Sequence, residues 1–304
     1  MDKRMGDNGD SEQLEENMIK TISSLNEIEI NKDEYYWLSP WDNIGDFVFS
    51  CAFKEQFEER HNGKVNMIFL QKQEIIAKMF GIADYFVVKS ENCGNVMEEY
   101  EKNGKAKVDN WIKGEILKPH SFYVSIANEK EKRNDRSGYY KEFLSLFRLE
   151  QETNNKNPVW YPELSQKLKE LIKRMGGYDK VVLLCPDAGY FGWYADRFPW
   201  KDYIKKYLDN NYTVICNTNR NTVVNGCFYI KDLTIEDCVA LSMHVKTISF
   251  RSGLTDLMCF RAKDLEVLYP NIAMFNHYSL NSMFETEFFI KEKVYEINEA
   301  ERQP

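Results

Sequence analysis

The hydrophobic positions of this chain follow two recurring patterns. Short continuous runs of apolar or β-branched residues are typical of buried strands, whereas apolar residues spaced three or four apart are typical of helices. The two patterns alternate in the first part of the sequence. They predict strands at 35–38, 65–70 and 85–88, a helix whose apolar face begins at Phe47, and a second helix over 71–80.

The same alternation returns after residue 180. Strands separated by helices favour a parallel sheet with right-handed crossover connections, so the fold class is α/β. The predicted strands of this part are 181–184, 212–216, 227–230, 245–250 and 264–269, and its predicted helices are 200–208, 235–243 and 253–261.

The region between these parts is less regular. A strand at 122–126 and a helix at 139–149 are predicted within it, and the Asn-rich stretch 154–158 reads as a linker. A helix over 162–175 is expected to lead into the second part, and a tail over 283–297 to pack back across the first.

These patterns divide the chain into three regions. Residues 1–34 form an acidic N-terminal extension, 35–160 a first Rossmann-like domain, and 161–304 a second Rossmann-like domain with a C-terminal tail. Open α/β sheets bind ligands beyond the carboxyl ends of their strands. We therefore expect two facing domains with a central cleft that holds a ligand.

Charge and composition exclude some functions. Ten acids and four bases in residues 1–34 account for −6 of the net charge of −8, which leaves −2 for the rest. This balance argues against a nucleic-acid-binding surface but permits a local pocket for a small anion. No apolar run approaches the roughly 20 residues needed to span a bilayer.

The seven cysteines are scattered, with no CxxC pair and no zinc-ligand spacing. This usage predicts reduced, mostly buried thiols in a cytoplasmic protein and no metal site. The polar, acidic N-terminus does not resemble a secretory signal.

The main candidate site is a strand–turn–helix sequence in the second half. Strand 245–250 runs into Arg251, Ser252 and Gly253, and Asp256 falls in the first turn of the next helix. Ser252 suits an N-cap, and Gly253 lets a ligand approach the backbone. The first-turn amides and the Arg251 guanidinium together suit a phosphate. The alternative is an ordinary crossover turn that binds nothing.

A similar turn follows the first strand. Asn43, Gly45 and Asp46 stand between that strand and an apolar-faced helix. Asp46 is the candidate for a carboxylate that accepts a proton, and the alternative is a helix-capping acid.

Other candidates follow two strands of the second half, where they would shape turns or contact a ribose or a base. They are Pro186, Asp187, Ala188, Gly189, Asn217 and Asn219. The aromatic residues of the predicted cleft loops, Trp41, Tyr190 and Trp193, could stack on a sugar or base.

In their order and spacing these motifs resemble heptosyltransferase-like glycosyltransferases of the GT-B type, over roughly residues 35–90 and 180–270. The turn at 43–46 is similar to their Gly-Asp turn, 181–188 to the strand and Pro-x-Ala turn of their nucleotide-binding domain, and 248–256 to their late Ser-Gly turn. Phe250-Arg251 stands where that pattern often has an acid, and no lysine follows the Pro-x-Ala turn closely.

The resemblance implies an inverting glycosyltransferase that moves a sugar from a nucleotide-sugar donor to a glycan or lipid-linked glycan of a bacterial surface polysaccharide. Asp46 would be the base, and Arg251 with the turn amides would hold the leaving diphosphate. The sequence contains no Asp-x-Asp motif, so neither a metal nor another cofactor is expected. Peripheral membrane association is compatible with such an acceptor. The alternative is a non-catalytic nucleotide-sugar-binding subunit of the same fold.

Overall fold

A computed structural model shows how the chain folds. It describes residues 34–39, 44–88, 116–117, 144, 147, 149, 154–188, 192–218, 224–230 and 233–297. The described residues divide into two compact units, one ending at Lys156 and the other beginning at Asn157. The predicted domain limits after residues 34 and 160 stay predictions.

The first unit is built around a four-stranded parallel sheet in the order β3-β2-β1-β4. Its strands are β1 (Tyr35–Ser39), β2 (Val65–Leu70), β3 (Tyr85–Val88) and β4 (Ile116–Leu117), and its helices are α1 (Ile44–His61) and α2 (Glu74–Met79), the latter preceded by a 3₁₀ turn at Gln71–Gln73. The three long strands and both helices were predicted, but β4 was not. The predicted strand at 122–126 lies outside the described residues, as does most of the predicted helix at 139–149.

Aromatic packing holds α1 against this sheet. Trp37 of β1 stacks on Phe147 with ring centroids 4.2 Å apart, and Phe57 of α1 meets Trp37 edge-on at 5.1 Å. Every residue of β2 is buried, as expected for a parallel strand covered on both faces. Burying one such aromatic side chain stabilises the fold by about 1.5–3 kcal/mol.

The second unit contains a six-stranded sheet in the order β10-β9-β8-β5-β6-β7, in which every pair is parallel. The strands are β5 (Val181–Cys185), β6 (Thr213–Cys216), β7 (Phe228–Tyr229), β8 (Lys246–Phe250), β9 (Asp264–Tyr269) and β10 (Lys291–Val294). The helices are α3 (Gln166–Arg174), α4 (Gly192–Arg197), α5 (Trp200–Asp209), α6 (Ile235–Ser242), α7 (Gly253–Met258), α8 (Ile272–Tyr278) and α9 (Leu280–Met283).

The C-terminal tail departs from its prediction. Its residues form β10, which pairs with β9 as an edge strand of the second unit's own sheet. Charge complementarity accounts for this pairing, since Lys293 of β10 forms an ion pair with Glu266 of β9 at 3.1 Å. In the part of the chain that the structure describes, no helix has the length and hydropathy of a membrane span.

Candidate functional site

The strand order of the second unit defines where a ligand can bind. The chain runs from β5 to β6 and β7 on one side, then returns to place β8 on the other side of β5. This is the doubly wound Rossmann order, and its ligands bind outside the carboxyl ends of the strands where the order reverses. Here that switch point lies between β5 and β8, and both predicted turns of this unit flank it.

The turn after β8 presents donors toward this edge. Ser252 has an extended backbone (φ −157°, ψ 169°), and its amide donates to Thr255 Oγ1 at 3.1 Å. The Thr255 amide in turn donates to the Ser252 carbonyl at 3.0 Å. Among the described residues, the amides of Gly253 and Leu254 and the Ser252 hydroxyl have no hydrogen-bond partner. Neutral N–H and O–H groups that have no partner can donate hydrogen bonds to an anionic ligand.

Arg251 is engaged inside the fold. Its guanidinium forms a two-point ion pair with Asp256, at 2.7 Å and 3.1 Å, and both side chains are at most 5% exposed. Nε donates to the Tyr278 carbonyl at 3.0 Å, and Nη1 donates to the Ser252 carbonyl at 2.7 Å. Nη2 also contacts the Met283 sulfur at 3.7 Å.

This arrangement gives Arg251 and Asp256 a role that the sequence did not indicate. The pair spans the Ser252–Gly253 turn and fixes its two ends, with Asp256 as the internal counter-ion. For Arg251 to reach a phosphate, its buried bonds would have to break. The turn amides, and not the Arg251 charge, are therefore the groups at this turn that an anion can reach without breaking those bonds.

The turn after β5 forms the other side of the switch point. Pro186 and Ala188 are buried, and Asp187 is partly exposed. Both carboxylate oxygens of Asp187 are within 2.9 Å of Thr218 Oγ1, and the Asn217 amide donates to the Leu184 carbonyl at 2.8 Å.

Asp187, Asn217 and Thr218 thus lie together at the carboxyl ends of β5 and β6. Sequence reasoning missed Thr218, although its place directly after β6 was a usable signal. Gly189 and Asn219 lie outside the described residues, as does Tyr190.

In the first unit the strand order also reverses at its first strand, because β4 pairs with β1 on the side opposite β2. Gly45 and Asp46 stand in the first turn of α1, directly beyond this edge, and Asp46 is only 6% exposed. The Asp46 carbonyl accepts a hydrogen bond from Ser50 Oγ at 3.0 Å. Asn43 and Trp41 lie outside the described residues.

Two further polar residues mark the same edge, and neither was predicted. Gln73 Nε2 donates to Ser39 Oγ at 2.9 Å, and the Leu70 amide donates to Gln73 Oε1 at 3.1 Å. They tie together the carboxyl ends of β1 and β2.

No cluster of three or more His, Cys, Asp or Glu side chains that could hold a metal ion occurs among the described residues. Trp193, the remaining aromatic candidate, lies in α4 with the Arg197 guanidinium 3.9 Å from its ring centroid.

Comparisons with known proteins bear on the fold. No protein-family model matches the sequence, and no curated protein does. The crystal structure of the iron-containing dodecameric glycosyltransferase TibC from enterotoxigenic E. coli H10407 matches with a TM-score of 0.50 and 12% identity, over 86% of this chain and 62% of that one. This chain thus spans under two thirds of TibC.

Two E. coli heptosyltransferase structures also match. ADP-heptose LPS heptosyltransferase II does so with a TM-score of 0.48 and 14% identity, over 86% of this chain and 90% of that one. Heptosyltransferase WaaC with ADP has a TM-score of 0.48 and 9% identity, over 87% and 93%. The predicted resemblance is confirmed at the level of the fold: this chain has an α/β fold with parallel sheets that is shared with the glycosyltransferase TibC.

Proposed function

We propose that this protein is a glycosyltransferase that uses a nucleotide-sugar donor. The observation that carries the proposal is the switch point between β5 and β8, where the unpartnered donors of Ser252, Gly253 and Leu254 stand. A diphosphate accepts hydrogen bonds from such donors, and its charge grows as the sugar leaves. The fold shared with TibC is compatible with this chemistry.

The nucleoside would extend along the edge toward Asp187, Asn217 and Thr218. Hydroxyl and carboxylate groups at the ends of neighbouring strands suit the hydroxyls of a ribose. This part of the site would select a nucleotide over inorganic pyrophosphate.

Asp46 is the proposed general base for the acceptor hydroxyl. This assignment requires the two units to face each other across a cleft, as the sequence predicts. The reaction would then invert the anomeric centre, because the hydroxyl attacks from the side opposite the leaving diphosphate. No metal is assigned to it. The proposed acceptor is a glycan of a bacterial surface polysaccharide, free or lipid-linked, and the proposed location is the cytoplasm.

Nucleotide binding is tested by thermal shift with UDP, GDP, ADP, CDP and dTDP. A ligand that binds only the folded chain raises the melting temperature by mass action. Ser252→Ala is expected to weaken binding about tenfold or more, since a hydrogen bond to a charged group contributes roughly 1.5–3 kcal/mol. Thr247→Val is the matched control because it removes another buried, unpartnered hydroxyl, within β8 itself. Flat responses to all five nucleotides would overturn the proposal.

Catalysis is tested by hydrolysis of the nucleotide sugar that matches the nucleotide bound. Asp46→Asn is expected to leave nucleotide affinity unchanged and to slow turnover by roughly 10²–10⁴-fold, the usual contribution of a positioned base. If the wild type binds a nucleotide but turns over no donor, the alternative of a non-catalytic nucleotide-sugar-binding subunit replaces the enzyme.

A further inference from the structure

The last strand of the second unit, β10, carries a carboxylate that gathers hydrogen bonds from one short connection of the chain. Glu292 accepts from the Ser279 hydroxyl at 2.8 Å and from the Leu280 amide at 2.7 Å. The Asn281 side-chain amide also donates to it, at 2.7 Å. All these donors are neutral and belong to the first residues after α8. Glu292 therefore fixes the backbone that directly follows Tyr278.

A buried tyrosine carries this contact into the core. The Tyr269 hydroxyl, at the end of β9, bonds the Glu292 carboxylate and also lies 3.1 Å from the Tyr278 carbonyl. The Leu280 amide donates to the same hydroxyl at 3.2 Å. Because Tyr269 is fully buried, these bonds form in a low-dielectric environment, where each is stronger than in water and costly to leave unmade.

The Tyr278 carbonyl joins this group to the turn after β8. It accepts a second hydrogen bond, from Arg251 Nε at 3.0 Å. Nη1 of the same guanidinium donates to the Ser252 carbonyl at 2.7 Å and to Thr255 Oγ1 at 3.2 Å. Thr255 Oγ1 also accepts the Ser252 amide, at 3.1 Å. A continuous network of hydrogen bonds thus runs from β10 to this turn.

We propose that Glu292 is a positioning residue: through this network it holds the Ser252–Gly253 turn in the shape that presents its N–H and O–H donors to a ligand. That the ligand is the diphosphate of a nucleotide sugar rests on the proposed function. Glu292 stands at the other end of the network from the turn. It acts through the Tyr269 hydroxyl and through the backbone next to Tyr278.

The geometry predicts effects of different size for two variants. Tyr269→Phe removes only the hydroxyl that bridges Glu292 and the Tyr278 carbonyl. Glu292→Ala removes that bridge and also the acceptor of the Ser279 and Leu280 donors. Glu292→Ala should therefore loosen the turn more than Tyr269→Phe does, and the milder variant tests the proposal by itself if the other fails to fold.

The first measurement needs no ligand. Amide hydrogen exchange of the full chain is followed at Ser252 and Thr255, whose amides are hydrogen-bonded within the turn. Tyr269→Phe is expected to speed exchange at both roughly 2- to 30-fold, the range usual for coupling through a packed network. The Asn217 amide, which donates to the Leu184 carbonyl at the same edge of the sheet, is the internal control and should keep its rate.

Tyr203→Phe is the matched control variant. It removes a tyrosine hydroxyl that bonds another carboxylate of the same sheet, that of Glu266, and leaves the network intact. The two turn amides should exchange at the wild-type rate in this variant. The proposal is overturned if Tyr269→Phe leaves both turn amides unchanged, or if it speeds the Asn217 amide equally, because the second result means general destabilisation.

The second measurement connects the turn to the ligand. Calorimetric titration well below the melting temperature gives the affinity for whichever of UDP, GDP, ADP, CDP and dTDP binds the wild type. Tyr269→Phe should weaken this binding by a factor in the range given for exchange, and Tyr203→Phe should not. A hydroxyl with a merely structural role would lower the melting temperature and leave the affinity as it is.

The outcomes separate this proposal from the function on which it rests. Faster exchange at the turn with unchanged affinity overturns the positioning role of Glu292. If the wild type binds none of the five nucleotides, the proposed function fails, and the exchange rates still decide whether Glu292 fixes the turn.

Discussion

A single side chain, Arg251, shows how residue-level geometry changes the interpretation of a motif. In the sequence an arginine beside Ser-Gly is a natural phosphate ligand. In the structure its charge is neutralised by Asp256, and its Nε donates to the Tyr278 carbonyl. Breaking a buried ion pair by removing one partner leaves an uncompensated charge, and this costs about 3–5 kcal/mol.

We therefore expect Arg251→Met to lower the free energy of unfolding by about 3–5 kcal/mol, measured by urea denaturation. Arg251→Met combined with Asp256→Leu should recover part of the loss, because no buried charge then remains. The matched control is Lys205→Met, which removes an exposed helical ion pair with Asp209 and should cost about 0.5 kcal/mol or less. Equal urea midpoints for Arg251→Met and the wild type would show that the buried pair has no such role.

This pair also marks the limit of what the sequence could predict about the site. The turn itself was predictable, because an apolar strand, a Ser-Gly pair and a helical pattern follow one another. The direction of the Arg251 side chain was not, because it is set by Tyr278 and Met283, which are distant in sequence and come from α8 and α9. Thr218 was missed for a simpler reason, since a threonine after a strand carries little signal by itself.

At the scale of elements, the connection between α1 and β2 shows how tightly a crossover is specified. Glu58 of α1 accepts a hydrogen bond from the Val65 amide at 2.7 Å, which ties the helix end to the strand start. Asn62 adopts the left-handed conformation with φ 47°, and Gly63 follows it under the Tyr35 ring. A Cβ on Gly63 would lie 2.4 Å from Tyr35 Cε2, which is closer than real Cβ atoms approach.

Gly63→Ala is accordingly expected to destabilise the chain by about 1–3 kcal/mol through overpacking, measured by urea denaturation. Tyr35→Val removes the ring that would clash. Gly63→Ala should then lower the free energy of unfolding by less in the Tyr35→Val background than it does in the wild type. If the loss is the same in both backgrounds, the Tyr35 ring is not its cause.

Glu292 shows why the last strand was harder to predict than the others. It lies in β10 and accepts hydrogen bonds from the Ser279 hydroxyl at 2.8 Å and the Leu280 amide at 2.7 Å, as well as from the Tyr269 hydroxyl. The strand Lys291–Val294 carries three charged residues in four, a pattern that reads as a solvated loop. Its position follows from partners distant in the chain, which local periodicity cannot reveal.

At the scale of the whole molecule, the two sheets repeat one arrangement. The order β3-β2-β1-β4 in the first unit matches β7-β6-β5-β8 in the second, and all these pairs are parallel. The alternation of apolar runs and helical patterns was sufficient to predict parallel α/β sheets in both halves. The central strands were the easiest to predict because burial on both faces makes them continuously apolar.

The second sheet also contains a buried glutamate that should make the stability of the fold depend on pH in the acidic range. Glu266 is 3% exposed and contacts Lys293, Lys246 and the Tyr203 hydroxyl. Burial by itself would raise the pKa of Glu266, but the hydrogen bonds from Tyr203 and Lys293 and the nearby lysine charges lower it below the ordinary value.

A folded-state pKa below the unfolded value means that Glu266 stabilises the fold above about pH 4.3, the unfolded value, and that this contribution is lost as the pH falls through the folded pKa. Glu266→Gln should therefore lower the melting temperature at pH 7 and flatten its fall below pH 4.3. Glu163→Gln, at an exposed position, is the control and should leave the melting temperature unchanged both at pH 7 and below pH 4.3. Parallel pH profiles for Glu266→Gln and the wild type would contradict this assignment.

The pairing of β5 with β8, a strand made much later in the chain, has a consequence for synthesis on the ribosome. β5 and its neighbour β8 are separated by the 60 residues that run from 186 to 245. At roughly 5–20 residues per second, one backbone edge of the apolar strand Val181–Cys185 stays uncovered for about 3–12 seconds after it is made. Nascent chains should be most prone to self-association or chaperone capture in that interval, which ends when Lys246–Phe250 emerges from the exit tunnel.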